Sequence, residues 1–171
     1  MKKNIRELIT KLGKKMKENN ISLVTAESCT GGGLAYLISQ IPAVSSILER
    51  AYVTYSVRAK HELLNVKYKT IKKYGAVSSE TAIEMVNGAL KNSGAQISVA
   101  ITGLAGPDTD KTSNKPIGAI YIACADNKKI EVYRKQFKGD RKKICEQAIE
   151  FSLQKLNAFL EKKKNDMRKP K

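Results

Sequence analysis

The sequence lacks tryptophan and contains only one histidine and three cysteines among its 171 residues. His61 and the scattered Cys29, Cys124 and Cys145 form no C-x-x-C pair or other recognisable ligand set, so we predict neither a metal site nor a cofactor. The N-terminal region is basic but has no continuous apolar core, so we expect no secretory signal. Without export, three cysteines indicate reduced thiols in a cytoplasmic protein rather than a disulfide framework.

Long apolar runs are also missing. The apolar stretches are short and interrupted by polar residues, whereas a membrane-spanning helix needs about 20 mostly apolar positions. With 42% hydrophobic and 28% charged residues, the composition is that of one ordinary globular domain. We therefore predict a single domain over residues 1–160 that has no membrane partner.

Acidic residues are scarce: 16 oppose 32 Lys and Arg, which leaves a formal charge of +16. Residues 1–20 carry +5 and residues 161–171 carry +4, so more than half of the excess lies in two end segments. We expect residues 161–171 to form a basic, disordered tail. Because base stacking needs aromatic side chains and the chain has only three Phe, we expect at most non-specific contact with nucleic acid.

Helical and strand patterns alternate along the chain. Apolar spacing of three and four predicts a first helix from Ile5 to Met16, and Gly139-Asp140-Arg141 opens a last helix. Short β-branched runs predict strands at 21–25, 51–55, 97–102, 117–125 and 129–137. One helical pattern follows the first strand, at 34–41, and three follow the second strand, at 56–64, at 69–74 and after Ser78 or Ser79, the candidate caps of the last of these. This order predicts an α/β protein, a three-layer α/β/α sandwich with a mixed, mostly parallel sheet.

The turn after the first strand is the strongest local feature. Ser28 and the glycines at 31–33 stand where a strand meets a helix, which is where ligands bind in open α/β folds. Ser28 offers a nucleophilic hydroxyl, and the glycines let a ligand approach main-chain N–H groups. A tight connection that happens to use these residues is the alternative, and neither the dinucleotide fingerprint nor the P-loop pattern is present.

A serine nucleophile needs a base, for which the chain offers two candidates near the second strand. His61 is the only histidine, and no pattern supports a Ser-His-Asp arrangement around it. Lys60 can act as the base if burial lowers its pKa, with Tyr55 to relay or orient the proton. The alternative is that Lys60 is one more solvated surface lysine.

Two further turns complete the candidate site. Thr102 and Gly103 end the third predicted strand, and Arg141 begins the last helix, with a guanidinium suited to bidentate phosphate binding. Each alone is compatible with ordinary turn and capping chemistry. Together, these strand and helix ends predict a site for a small anionic ligand.

These segments, in this order, resemble the CinA C-terminal domain family, whose characterised activity is nicotinamide-nucleotide amidase. The similarity covers about residues 5–160. The matching segments are Thr25-Ala-Glu-Ser-Cys-Thr-Gly-Gly32, Val53-Thr-Tyr-Ser56 with Lys60, Gly75-Ala-Val-Ser78, Ile101-Thr-Gly-Leu-Ala-Gly-Pro107, Lys115-Pro-Ile-Gly118 and Gly139-Asp-Arg141.

The resemblance implies hydrolysis of the carboxamide of nicotinamide mononucleotide to nicotinate mononucleotide and ammonia, without a metal. Carried onto matching positions, it makes Ser28 the nucleophile, Lys60 its base and Tyr55 the proton relay. The activity would belong to pyridine nucleotide salvage, with a small nucleotide as the partner of the site.

The substrate contacts carry over as well. Arg141 and Thr102 match positions that line the family's substrate pocket, with Gly103 beside them, and we assign Arg141 to the phosphate. We expect main-chain N–H groups of Thr30, Gly31 and Gly32 to form an oxyanion hole, in which one donor contributes about 3 kcal/mol to transition-state binding.

The sequence departs from the family pattern at four places. Val57 stands where Asn is usual, Ala51 and Asn65 replace common glycines, and the loop 108–114 replaces a Gly-Gly pair. These changes leave two alternatives open: an amidase for another carboxamide, and a non-catalytic module associated with nucleotides or nucleic acid. A homodimer is expected only because two-fold dimers are the commonest oligomers.

Overall fold

The structure is a computed structural model that describes the backbone of residues 1–107 and 115–167. The helices are α1 (Lys3–Glu18), α2 (Gly33–Ser39), α3 (Val57–Leu64), α4 (Tyr68–Tyr74), α5 (Ser79–Lys91) and α6 (Arg141–Met167). The strands are β1 (Leu23–Glu27), β2 (Leu48–Val53), β3 (Ile97–Gly103), β4 (Ala119–Ala125) and β5 (Ile130–Gln136), and a 3₁₀ turn at Ser45–Ile47 precedes β2.

The five strands form one mixed sheet in the order β2-β1-β3-β4-β5. β1 pairs in parallel with β2 and with β3, whereas β4 runs antiparallel to both β3 and β5. Four of the five strands therefore point the same way. The carboxyl ends of β1, β2 and β3 consequently meet at one edge of the sheet, where ligands bind in such folds.

Helices cover both faces of the sheet, which confirms the predicted α/β class. On one face α1, α2 and α6 contribute apolar side chains to one buried cluster, among them Leu12, Leu34 and Leu153. On the other face Met85 and Val86 of α5 belong to a second apolar cluster. The central strands β3 and β4 are buried almost throughout, because helices lie on both sides of them, while the edge strands β2 and β5 carry the exposed polar residues.

Local capping fixes the helix that borders the strand ends. The hydroxyl of Ser56 accepts a hydrogen bond from the N–H of Ala59 and so starts α3. Asn65 ends α3 with a left-handed backbone, at a φ of +56°. That conformation explains why glycine is usual at this position, and Asn is one of the few other residues that tolerates it.

Several boundaries differ from the sequence prediction; among them, β2 spans Leu48–Val53 where we predicted a strand at 51–55. β1 begins two residues later than the predicted strand at 21–25 and also ends two residues later, at Glu27. The side chain of Glu27 is fully buried, although a charged residue is typical of a strand's exposed end. α6 continues through residues 161–167, which we had placed in a disordered tail, and Lys15 contacts Glu161 there. Residues 168–171 of that predicted tail, and the unusual loop at 108–114, lie outside the described residues. None of the described helices combines the length and apolar character needed to cross a bilayer.

Candidate active site

A cavity of about 310 Å³ opens at the carboxyl ends of β1, β2 and β3. Ser28, Tyr55 and Lys60 line it together with Thr102, Gly103 and Arg141. Residues from four separate parts of the chain therefore converge in one depression. Of the nine site residues predicted from the sequence, these six are brought together by the fold.

Ser28 is the first residue after β1. Its N–H donates to the carbonyl of Ile101, which extends the β1–β3 pairing by one position and fixes the backbone of the serine. The residue is 7% exposed, so its hydroxyl faces the cavity rather than open solvent. A nucleophile on a rigid strand end is held more precisely than one on a long loop.

Lys60 lies in α3 and is one of the largest fully buried side chains of the described residues, at 1% exposure. Its Nζ is 2.8 Å from the Oγ of Ser28 and 2.7 Å from the carbonyl oxygen of Thr54. The carbonyl oxygen of Tyr55 lies at 3.5 Å. The alternative of a solvated surface lysine is therefore excluded.

The surroundings of Lys60 favour the neutral amine. Burial lowers its pKa from 10.5 to about 8. Among the described residues that line the cavity, the charged side chains are Lys60 and Arg141, both cationic. A neutral amine has two N–H groups and one lone pair. The carbonyl oxygens of Thr54 and Tyr55 can accept the two N–H groups, so the lone pair is left for the hydroxyl of Ser28.

Tyr55 and Arg141 meet at the mouth of the cavity. The side chain of Tyr55 is 59% exposed, and its phenolic oxygen accepts a hydrogen bond from a guanidinium nitrogen of Arg141. Arg141 is the first residue of α6 and also donates to the carbonyl of Gly106. The guanidinium is thus fixed at the rim, where it can face an anionic group of a ligand.

Thr102 and Gly103, the last two residues of β3, line the cavity together with Ser28. The hydroxyl of Thr102 donates to the carbonyl oxygen of Ala76 at 2.8 Å, so this side chain holds the opposite wall. Gly103 lacks a side chain for a steric reason, because a Cβ there would lie 2.7 Å from the carbonyl oxygen of Ala119.

Thr30, Gly31 and Gly32 are not among the residues that line the cavity, in contrast to our expectation. The N–H of Gly31 donates to the carbonyl of Ser28, and the hydroxyl of Thr30 donates to the carboxylate of Glu27. These groups stabilise the turn itself. Of the three main-chain N–H groups that we expected in the oxyanion hole, that of Gly31 is therefore engaged within the turn.

Sequence reasoning missed Glu27. Its fully buried carboxylate accepts hydrogen bonds from Leu34 N at 3.0 Å and Ala35 N at 2.9 Å, in addition to Thr30. An internal anion thus occupies the positive N-terminus of α2. The sequence did contain a signal, because Glu27 directly continues a β-branched strand that we expected to be buried. A buried carboxylate requires hydrogen-bond donors close by.

His61, the alternative base, is not among the residues that line the cavity, whereas the thiol of Cys29, a second conceivable nucleophile, is. The Nδ1 of His61 contacts the carbonyl of Val66, and its ring packs 4.1 Å from that of Tyr68. Cys29 lines the cavity, but burial raises the pKa of its thiol to about 12. That thiol stays protonated near neutral pH and is a poor nucleophile.

The fold and the site together define an α/β/α protein with a serine–lysine pair at the ends of its parallel strands. The family model of the CinA C-terminal domain matches residues 5–160. The chain belongs to this family.

Known proteins of two lengths resemble the chain. It is 40% identical over 153 residues to nicotinamide-nucleotide amidohydrolase PncC of Enterobacter agglomerans, a match that covers 89% of this chain and 93% of that protein. It is 41% identical over 150 residues to a CinA-like protein of Kosmotoga olearia, which covers 88% of this chain. The chain spans only about a third of that longer relative, at 35%.

A solved structure confirms the fold. The competence/damage inducible protein of Agrobacterium tumefaciens superposes with a TM-score of 0.89 at 32% sequence identity. The match covers 92% of this chain and 96% of that one.

Proposed function

We propose that this protein hydrolyses the carboxamide of nicotinamide mononucleotide, giving nicotinate mononucleotide and ammonia. The observation that carries the proposal is the 2.8 Å contact between the Nζ of Lys60 and the Oγ of Ser28 in a cavity with a cationic rim. The name of the Enterobacter agglomerans relative supports the choice of substrate. The reaction would serve pyridine nucleotide salvage in the cytoplasm.

The first half of the reaction acylates Ser28. The lone pair of neutral Lys60 takes the hydroxyl proton while Oγ bonds to the carboxamide carbon, which gives a tetrahedral oxyanion. The ammonium of Lys60 returns that proton to the amide nitrogen as the C–N bond breaks. Ammonia leaves, and an ester between the Ser28 oxygen and the carboxyl carbon of nicotinate mononucleotide remains.

The second half regenerates the serine. A water molecule gives a proton to neutral Lys60, and its oxygen bonds to the ester carbon. Collapse of the tetrahedral intermediate expels the Ser28 oxygen, which recovers the proton from Lys60. One carboxamide and one water thereby become one carboxylic acid, which ionises in solution, and one ammonia.

Gly103 is our candidate donor to the oxyanion. Since the carbonyl of Ile101 faces β1 and accepts from Ser28, Gly103 two residues later directs its N–H towards the same side. Gly103 also lines the cavity. A backbone N–H in this position is preorganised, which is the property that oxyanion stabilisation requires.

Arg141 and Tyr55 complete the proposed site. We assign the phosphate of the nucleotide to the guanidinium of Arg141, because bidentate hydrogen bonding to an anion is its strongest interaction, and its contact with Tyr55 at the rim supports this assignment. Tyr55 is held by Arg141 and is our candidate for relaying to the leaving nitrogen the proton that Lys60 returns.

Ammonia release from nicotinamide mononucleotide tests the proposal. We expect turnover by the wild-type protein and a loss of at least about 1,000-fold in Ser28→Ala, with an unchanged melting temperature. Mass spectrometry of rapidly quenched reactions should show the acyl group of nicotinate mononucleotide, including its ribosyl phosphate, on the peptide that contains Ser28. Cys29→Ala is the matched control and should retain activity, because that thiol stays protonated. Full activity of Ser28→Ala would exclude this nucleophile.

A further inference from the structure

One wall of the cavity is the segment 74–77, which connects α4 to α5. Ala76 and Val77 of this 74–77 wall line the same cavity as the serine–lysine pair. Tyr74 is the last residue of α4, and residues 75–77 precede α5, so the carbonyl oxygens of this segment need partners from outside the two helices. All four of them accept hydrogen bonds from side chains.

The two middle carbonyls are held by hydroxyl groups. The oxygen of Gly75 accepts from Ser78 at 2.9 Å and from Thr81 at 2.8 Å, both at the start of α5. The oxygen of Ala76 accepts from Thr102 on β3 at 2.8 Å. These contacts attach the wall to one helix and to the sheet.

The two outer carbonyls share one donor. The Nζ of Lys115 donates to the carbonyl oxygen of Tyr74 at 3.2 Å and also to that of Val77. The same Nζ lies 5.2 Å from the centre of the Tyr121 ring, a cation–π contact. Lys115 therefore bridges both ends of the wall to β4.

The anchors on the sheet are neighbours. Tyr121 of β4 pairs with Thr102 of β3, so the aromatic ring beneath Lys115 and the hydroxyl that holds Ala76 stand on adjacent strands. Fixing a carbonyl also fixes the N–H of the following residue, because both belong to one planar peptide. The wall is thus preorganised before a ligand enters, which reduces the ordering cost of binding.

We propose that Lys115 is a positioning residue that determines substrate affinity by holding the 74–77 wall in its binding conformation. This inference rests on the proposed function of the cavity. Lys115 acts through the backbone of Tyr74 and Val77 and takes no part in the bond-making steps. Its loss therefore affects binding more than turnover.

The first test separates binding from chemistry. Lys115→Met keeps the aliphatic stem and removes both hydrogen bonds. We expect KM for nicotinamide mononucleotide to rise about tenfold while kcat stays within about threefold. Lys115→Arg, which can donate to both carbonyls, should restore KM to within about threefold of the wild-type value. A merely structural role would lower kcat with the folded fraction and leave KM unchanged, which would overturn the inference.

A matched variant controls for lost charge. Lys73 precedes the wall and lies 4.9 Å over the ring of Tyr74, but the structure shows it only next to that ring and not on a wall carbonyl. We expect Lys73→Met to leave KM unchanged, and we expect the defect of Lys115→Met to persist in 0.5 M salt. If both variants raise KM equally and salt removes the difference, long-range attraction of the anionic substrate is the explanation and the positioning role is wrong.

Hydrogen exchange of the free protein tests the wall without any substrate. We expect the amide proton of Gly75, which follows the carbonyl of Tyr74 and donates to Ile71, to exchange at least about tenfold faster in Lys115→Met than in the wild type, with no change in the strands. Unchanged exchange overturns the inference even if the amidase activity is found. If exchange is faster in Lys115→Met but the wild-type protein does not hydrolyse the nucleotide, the role of Lys115 in holding the wall is supported and the proposed function is refuted.

Discussion

The amine of Lys60 lies 2.8 Å from the hydroxyl of Ser28, although 32 residues separate them in the sequence. The contact forms because both residues follow neighbouring parallel strands, β1 and β2, whose carboxyl ends coincide. Burial disfavours the charged amine and lowers its pKa to about 8. About a tenth of the molecules therefore carry the neutral base at pH 7.

The rate should follow the deprotonation of this amine. Because neutral Lys60 is the active form, we expect kcat/KM to rise about tenfold per pH unit below pH 7.5 and to level off above about pH 8.5. Ammonia release measured from pH 6 to pH 9.5 at constant ionic strength gives the profile. A flat profile through pH 8 would contradict the assignment of Lys60 as the base.

Lys60→Met should be inactive and yet more stable at neutral pH. The pKa of Lys60 is about 8 in the folded state and 10.5 without burial. The unfolded state therefore binds more protons between these values, and the wild-type protein gains stability as the pH rises through this window. Below pH 8 the full penalty of the buried charge applies, about 3 kcal/mol.

Urea denaturation at several pH values tests this trade-off. The advantage of Lys60→Met in the free energy of unfolding should shrink by about 3 kcal/mol between pH 7.5 and pH 11, while its kcat/KM is lower by about 1,000-fold. Lys69→Met, on an exposed position of α4, serves as the control and should change neither quantity. A stability difference that does not vary with pH would show that Lys60 is not charged in the folded protein below pH 8.

The sequence predicted the pair but not its surroundings. β-Branched runs located the strand ends, and the resemblance to the CinA C-terminal domain family singled out Ser28 and Lys60 as a pair. The positions of individual hydrogen bonds were beyond this reasoning. The glycines at 31–33 indicated an oxyanion hole because they let a ligand approach the backbone closely. The residue types do not show, however, which of these N–H groups already donates to a carbonyl within the turn. In the fold, Gly31 donates to Ser28.

The contacts of Lys115 could not be predicted for a related reason. Its partners, Tyr74 and Val77, are about 40 residues away in the sequence and are backbone carbonyls, which leave no mark on the residue types. The extent of α6 was also missed. The positive charge after Glu161 suggested a solvated tail, yet Glu161 contacts Lys11 and Lys15 of α1, and these contacts support a longer helix.

Glu27→Gln should destabilise the fold. The carboxylate accepts three hydrogen bonds at the N-terminus of α2, and an amide would turn an NH₂ group towards at least one of these donors. We expect the free energy of unfolding to fall by about 2–3 kcal/mol, measured by urea denaturation at pH 7. Glu62→Gln is the control, because its ion pair with Arg58 is exposed and should contribute less than about 1 kcal/mol. Equal effects of the two substitutions would contradict the role assigned to Glu27.

Asn65→Gly should stabilise the protein. Asn65 ends α3 at a φ of +56°, where its N–H donates to the carbonyl of His61, and glycine adopts this backbone without the crowding of a Cβ atom. We expect the free energy of unfolding to rise by about 0.5 kcal/mol, and Asn65→Ala to lower it by about 1 kcal/mol, because alanine has the Cβ without the tolerance of Asn.

Substitution of glycine for two other asparagines separates the effect of a left-handed backbone from the effect of replacing Asn by Gly as such. Asn20 has a φ of +50° and should respond to glycine in the same direction as Asn65. Asn127, in the turn between β4 and β5, is not among the described residues with positive φ, so glycine should give no gain there. Parallel urea titrations of the three variants decide the matter. A gain at Asn127 that equals the gain at Asn65 would show that the left-handed backbone is not the cause, and a loss at Asn65 would show that its side chain makes a stabilising contact that outweighs the strain.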